Sequence, residues 1–105
     1  MDLDLSNLGA LLGGFQQKML EMKDKAAAAR VSGEAGGGLV KVTLTGTYEV
    51  VSVSIAEGAL EDREMCEDLV RAAMAEALRS VRDETERNVR ELSGGLPLPP
   101  GLLPF

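Results

Sequence analysis

Histidine is absent from the 105-residue chain, and Cys66 is its single cysteine. Histidine is the usual general base and the commonest nitrogen ligand, and a lone thiol without a base lacks its activator. A Cys/His metal site is therefore impossible, and so is an intrachain disulfide. Cys66 reads as a small buried apolar residue in a reducing compartment. Glu61, Asp62 and Glu64 offer oxygen ligands, but acidic residues clustered there are also what the positive end of a helix dipole favours. No serine stands in a nucleophile-elbow setting. We expect no catalytic residue, no cofactor and no metal, and hence a protein that is not an enzyme.

What remains is the chemistry of cations. Lys18, Lys23, Lys25 and Arg30 follow one apolar periodic stretch, and Arg79, Arg82, Arg87 and Arg90 follow another. A guanidinium fork matches phosphate geometry, so both groups are candidate phosphate contacts. The arginines also fit a solvent-facing helix laced with i,i+4 pairs: Arg79–Asp83, Arg82–Glu86, Asp83–Arg87 and Glu86–Arg90. The net charge of −6 and pI near 4.6 argue against a general polyanion binder, and any basic surface must be local. Aromatics make up 3% of the chain, too few for a strand on which single-stranded bases stack.

The stretch "GEAGGGLVKVTLTG" at 33–46 raises a second possibility, a phosphate-cradling loop. Such loops follow a strand and open a helix. Here a strand pattern follows the glycines, and Lys41 occupies the last glycine's place in G-x-G-x-x-G. A hairpin turn at positive φ is the better account. The glycines also leave room for another backbone to approach closely.

These residues need elements to position them. Leu5, Leu12, Met19 and Ala26 form one seven-residue series and Leu8, Phe15, Met22 and Ala29 another, a coiled-coil-like seam. Ser6 or Asn7 suits the cap. Gly9, Gly13 and Gly14 weaken the first half by about 1 kcal/mol each, so the firm helix is expected over 14–29, with residues 1–5 frayed. The four cations flank the seam at e and g, where two such helices would set lysine against lysine. Val40, Val42 and Leu44 alternate with polar residues, as do Val51, Val53 and Ile55; both runs predict strands with one buried face. "RVSGE" at 30–34 is a third, weaker strand. Residues 60–92 predict a long second helix with Cys66, Val70, Met74, Ala77, Leu78, Val81 and Leu92 on one face, and its arginines opposite. "SGG" ends it, and "LPLPPGLLPF" is too proline-rich for regular structure.

In that order, "SGEAGGGLVKVTLTGTYEVVSVSI" at 32–55, "LEDREMCEDLVRAAMAEAL" at 60–78 and "LPLPPG" at 96–101 resemble the YbaB/EbfC family of bacterial nucleoid-associated proteins. Gly33, Glu34, Gly36, Gly38, Leu39, Val40, Lys41, Val42 and Gly46 fit the family's glycine-rich strand motif. Glu67, Asp68, Leu69, Val70, Ala72 and Ala73 fit its helical one. The resemblance implies an α+β fold of α-β-β-β-α order, a three-stranded antiparallel meander between two long helices. It implies a tweezer-shaped homodimer that binds double-stranded DNA.

We therefore expect a single domain over 1–92 and a Gly/Pro-rich tail over 93–105. The cytoplasmic, nucleoid-associated dimer would contact phosphates, with little sequence specificity, through Lys18, Lys23, Lys25, Arg30, Arg79, Arg82, Arg87 and Arg90. Val40, Val42, Leu44, Val51, Val53 and Ile55 would form the core or the dimer interface. The alternative is an adaptor for replication or repair proteins that uses its helix seam or its tail. Membrane attachment through Leu8–Met22 is disfavoured by Asp2, Asp4 and the glycines.

Overall fold

The computed structural model describes residues 5–93, with side chains described for residues 7–91. Helix α1 (Leu5–Ala28) leads into strands β1 (Arg30–Ala35), β2 (Val40–Thr45) and β3 (Val50–Ile55). A one-turn helix α2 (Glu57–Leu60) and a long helix α3 (Arg63–Ser93) follow. The strands form an antiparallel sheet in the order β1-β2-β3. The expected α+β architecture, meander included, is present. The tail beyond Ser93, and the side chains of Leu5, Ser6, Leu92 and Ser93, lie outside the described residues.

Three local expectations need correction. Helix α1 begins at Leu5, not near residue 14, so Ser6 and Asn7 lie inside it rather than capping it. A Cβ at Gly9, Gly13 or Gly14 would have nothing within 4 Å, so these glycines mark no close packing; the strong helix formers between them carry the helix through. The second helix begins at Arg63, not at residue 60. Asp62 takes the capping position, its Oδ1 accepting from Met65 N at 3.1 Å, and the preceding turn becomes α2. On α3 the buried positions include Ala73, whereas Leu78 is exposed.

The core is small and sits between α3 and two strands. Val40, Val42 and Leu44 turn one face of β2 inward against Ala73, Ala77 and Val81 of α3 and Ala59 of α2. The approach is close because Gly33, opposite Val42 in the pairing, has no side chain. A Cβ there would fall on the backbone of Ala73 and Ala77. Gly36, Gly37 and Gly38, all at positive φ, make the turn between β1 and β2. No phosphate loop is formed, since β2 and not a helix follows.

Strand β3 lies beyond the reach of α3. Val53 pairs with Val42 and Ile55 with Val40, so both project on the helix-facing side. They are nevertheless 47% and 38% exposed. Val50 and Val51, beside the irregularity between Thr43 and Leu44, are exposed too. The expected buried face of β3 is therefore bare in the single chain.

The molecule is long, 70 × 21 × 18 Å, with a radius of gyration of 19.2 Å; a compact chain of 100 residues has about 13 Å. The excess comes from α1 and the C-terminal half of α3, which run out past the sheet.

Candidate nucleic-acid interface

The cations owe their positions to how α1 is fastened. Its last turn is held at Ala26, which is buried and whose carbonyl accepts from Gly46 N at 2.8 Å and Ala29 N at 3.2 Å. Gly46 opens the β2–β3 turn. Thr45, 5% exposed, braces that turn: its Oγ1 accepts from Thr47 N at 3.2 Å and Glu49 N at 3.1 Å. Tyr48, at the exposed tip of the turn, has a φ of 66°.

Arg30 closes the same end of α1. Its Nη1 donates to the carbonyls of Ala27, Ala28 and Ala29 at 3.4, 3.2 and 3.2 Å. A cation is favourable at this negative end of the helix dipole, so Arg30 has a structural task beyond any contact with a ligand.

From this anchor α1 and α3 run antiparallel. One hollow, of about 300 Å³, brings Lys25, Ala26 and Gly46 against Glu84, Thr85 and Asn88. Farther out, a cleft of about 540 Å³ is lined by Lys18, Glu21, Met22 and Lys25 from α1 and by Asn88 and Glu91 from α3. Lys18 and Lys25 are one heptad apart, about 10 Å along the helix, and share one wall. Lys23 flanks the opposite side of the seam.

The two cationic groups are thus not brought together. At 100° per residue, Arg79, Arg82, Arg87 and Arg90 lie on the sides of α3 turned away from Asn88. All four are exposed. The pairing of the arginines also differs from the i,i+4 expectation. Arg87 bonds Glu84 at 3.2 Å, three residues back, rather than Asp83. Lys18, Lys23, Lys25, Arg79 and Arg82 have no ion-pair partner among the described residues. The other exposed pairs, Arg63–Glu67 and Arg71–Asp68, are nearer the start of α3. Asn88 and Glu91 in the cleft, and Glu84 in the hollow, are residues that nothing in the sequence marks out.

Carboxylates gather at the other end. Glu57, Glu61, Asp62, Glu64, Glu67 and Asp68 are exposed on α2 and the first turns of α3. They form no metal-binding group among the described residues. No described helix is long and apolar enough to cross a membrane.

Comparison with known proteins decides the family. The family model described as the YbaB/EbfC DNA-binding family matches residues 1–96. The chain belongs to the YbaB/EbfC DNA-binding family. The chain is similar to a "Nucleoid-associated protein" of Polynucleobacter necessarius, 45% identical over 92 residues that cover 87% of this chain and 86% of that protein. A second, of Polynucleobacter asymbioticus, is 44% identical over the same shares. The crystal structure of an uncharacterized protein from Helicobacter pylori superposes with a TM-score of 0.80 at 26% identity, over 89% of this chain and all of that one. The resemblance carried by the glycine-rich strand motif and the helical motif is borne out.

Proposed function

We propose that the chain is a homodimeric, nucleoid-associated protein that holds double-stranded DNA through phosphate contacts, with little sequence specificity. The observation that carries this is a set of exposed cations without ion-pair partners on the arms of a 70 Å molecule. One run of carboxylates crowds the sheet end, while Lys18, Lys23, Lys25, Arg79 and Arg82 stand exposed on the projecting helices with no ion-pair partner among the described residues, interspersed with Glu21, Asp24, Asp83, Glu84, Glu86 and Glu91. The acidic sheet end repels a duplex, which leaves the arms, where cations and carboxylates are near balance, as the side that phosphates can approach.

Dimerisation would supply the second grip. The bare β3, with Val51, Val53 and Ile55 outside the cover of α3, supports a second copy pairing there, since an uncovered apolar edge strand is otherwise a liability. Two weak cationic arms on one rigid body bind more tightly than either alone. Lys18 and Lys25 share their cleft with Glu21 and Glu91, which bars deep entry of a polyanion. Contact is thus with the backbone from outside, and base readout has no support from any residue placed here. The proposed domain spans residues 1–92 and is followed by the Gly/Pro-rich segment 93–105.

The test is a fluorescence-anisotropy titration of unrelated duplexes at several salt concentrations. Log affinity should fall linearly with log salt, at about 0.9 per phosphate contacted. Reversing Lys18, Lys23 and Lys25 together should flatten that slope, and so should reversing Arg79, Arg82, Arg87 and Arg90 together. A slope unchanged by both sets would overturn the reading.

A further inference from the structure

One face of α1 is apolar, bounded by a cation on each side and free of carboxylates. At about 100° per residue, Leu8, Leu12, Phe15, Met19 and Ala26 fall within about 60° of one another. Lys18 lies about 80° to one side of Ala26, and Lys23 about 60° to the other. Met22 stands between Lys18 and the stripe. Glu21 and Asp24 fall outside this arc, on the far side of the helix, and so do the three glycines of α1.

Only the inner end of the stripe is buried. Ala26 packs at the β2–β3 turn, where Gly46 N donates to its carbonyl. Helix α3 meets α1 on the Lys18 side, with Asn88 and Glu91 opposite Lys18, Met22 and Lys25. Farther out Leu8 and Leu12 are 42% and 56% exposed, and Phe15 and Met19 are half-buried. From Leu8 to Met22 the stripe is about 21 Å long, room for a partner helix of about four turns. A contiguous apolar strip of that length with a charged rim marks an interaction surface.

Spacing and charge say what fits it. The two heptad series offer a and d positions, which a second helix fills by inserting its own apolar side chains. Lys18 and Lys23 then stand at g and e, facing the partner's flanks. A parallel second copy of α1 would bring Lys18 against Lys23 of the other helix, whereas carboxylates on the partner would pair with both. Met19 and Met22 are unbranched and adapt to the shape of what they meet. We propose that Leu8–Met22 of α1 is a docking surface for an amphipathic helix of another protein, one whose apolar stripe is flanked by Asp or Glu. This does not rest on the DNA-binding reading, and its test is made without nucleic acid.

The test uses two labelled synthetic helices of about three heptads, with leucine at a and d. They differ only at e and g, which are glutamate in one and lysine in the other. The full chain is titrated into each. The glutamate helix should bind at least about tenfold more tightly than the lysine helix. Lys18→Glu with Lys23→Glu should reverse that preference. Leu12→Asp, at an exposed position, should abolish binding while circular dichroism shows the helix content unchanged. Equal affinity for the two helices, or binding of neither, would overturn the proposal. So would a preference that survives both variants, since the peptide would then sit elsewhere. Sedimentation of the unmixed chain closes the remaining route. If Leu12→Asp lowers self-association and the glutamate helix does not bind, a second copy covers the stripe and the proposal fails.

Discussion

Gly33 shows how far one missing side chain can govern this molecule. It lets β1 meet the backbone of α3 at Ala73 and Ala77, and the core of Val40, Val42 and Leu44 depends on that distance. Gly33→Ala should cost at least about 2 kcal/mol, since backbone and not a flexible side chain must shift. Gly37→Ala, at positive φ but in open space, should cost about 1 kcal/mol. Urea denaturation of the two variants checks the order. Thr45 is the polar counterpart. Thr45→Val keeps the shape but leaves the amides of Thr47 and Glu49 without their acceptor, and the same measurement should show a loss of about 1–3 kcal/mol. At this scale the sequence was partly legible. The glycine-rich stretch announced a turn and a close approach, yet nothing local to it named Ala73 and Ala77, some forty residues on. Arg30 was legible as a cation but not as a cap, because that role depends on where α1 stops.

At the scale of elements, patterns told more about faces than about what covers them. Val40, Val42 and Leu44 alternate as Val53 and Ile55 do, and both runs are strands. One is buried and the other bare because α3 crosses β1 and β2 alone, which a period of two cannot reveal. The same limit applies to the cleft. Lys18 and Lys25 were visible as flanking a seam, but Asn88 and Glu91 oppose them only because the Ala26–Gly46 contact sets the two helices side by side. Placing a charge on β3 tests its proposed pairing. Val53→Asp should leave the fold of the single chain intact, since the side chain is already half exposed. It should weaken self-association at least about 100-fold, as an unpaired carboxylate would be trapped between copies. Sedimentation at a series of concentrations reads this directly. Ala26→Leu, by contrast, overfills the junction beneath α1 and should cost about 1–3 kcal/mol. Faster amide exchange along α1, with the sheet unaffected, is the expected signature.

The whole molecule is a short sheet from which two unequal helices extend, with a run of acid at one end and cations interspersed with carboxylates along the other. Its net charge of −6 describes neither end. The total pointed away from nucleic acid, and the distribution points toward it. Should the duplex be held along these helices, moving charge matters more than changing the sum. Exchanging Glu64 for lysine and Lys18 for glutamate keeps the net charge, yet should weaken duplex binding severalfold and lower the salt slope by about 0.9. A variant with Glu64→Lys alone should bind little differently. Anisotropy titration of the two separates local from global charge.

The bond from Gly46 to Ala26 gives the molecule a fulcrum. From there to Leu8 the helix is a lever about 27 Å long, and a tilt of about 10° at the pivot swings its tip by about 5 Å. The pivot is the hairpin that ends β2 and begins β3, so leverage on the arm is transmitted to the edge proposed for self-pairing. Force on the tip and tension across that seam are therefore mechanically joined through one turn of five residues, Thr45 to Glu49.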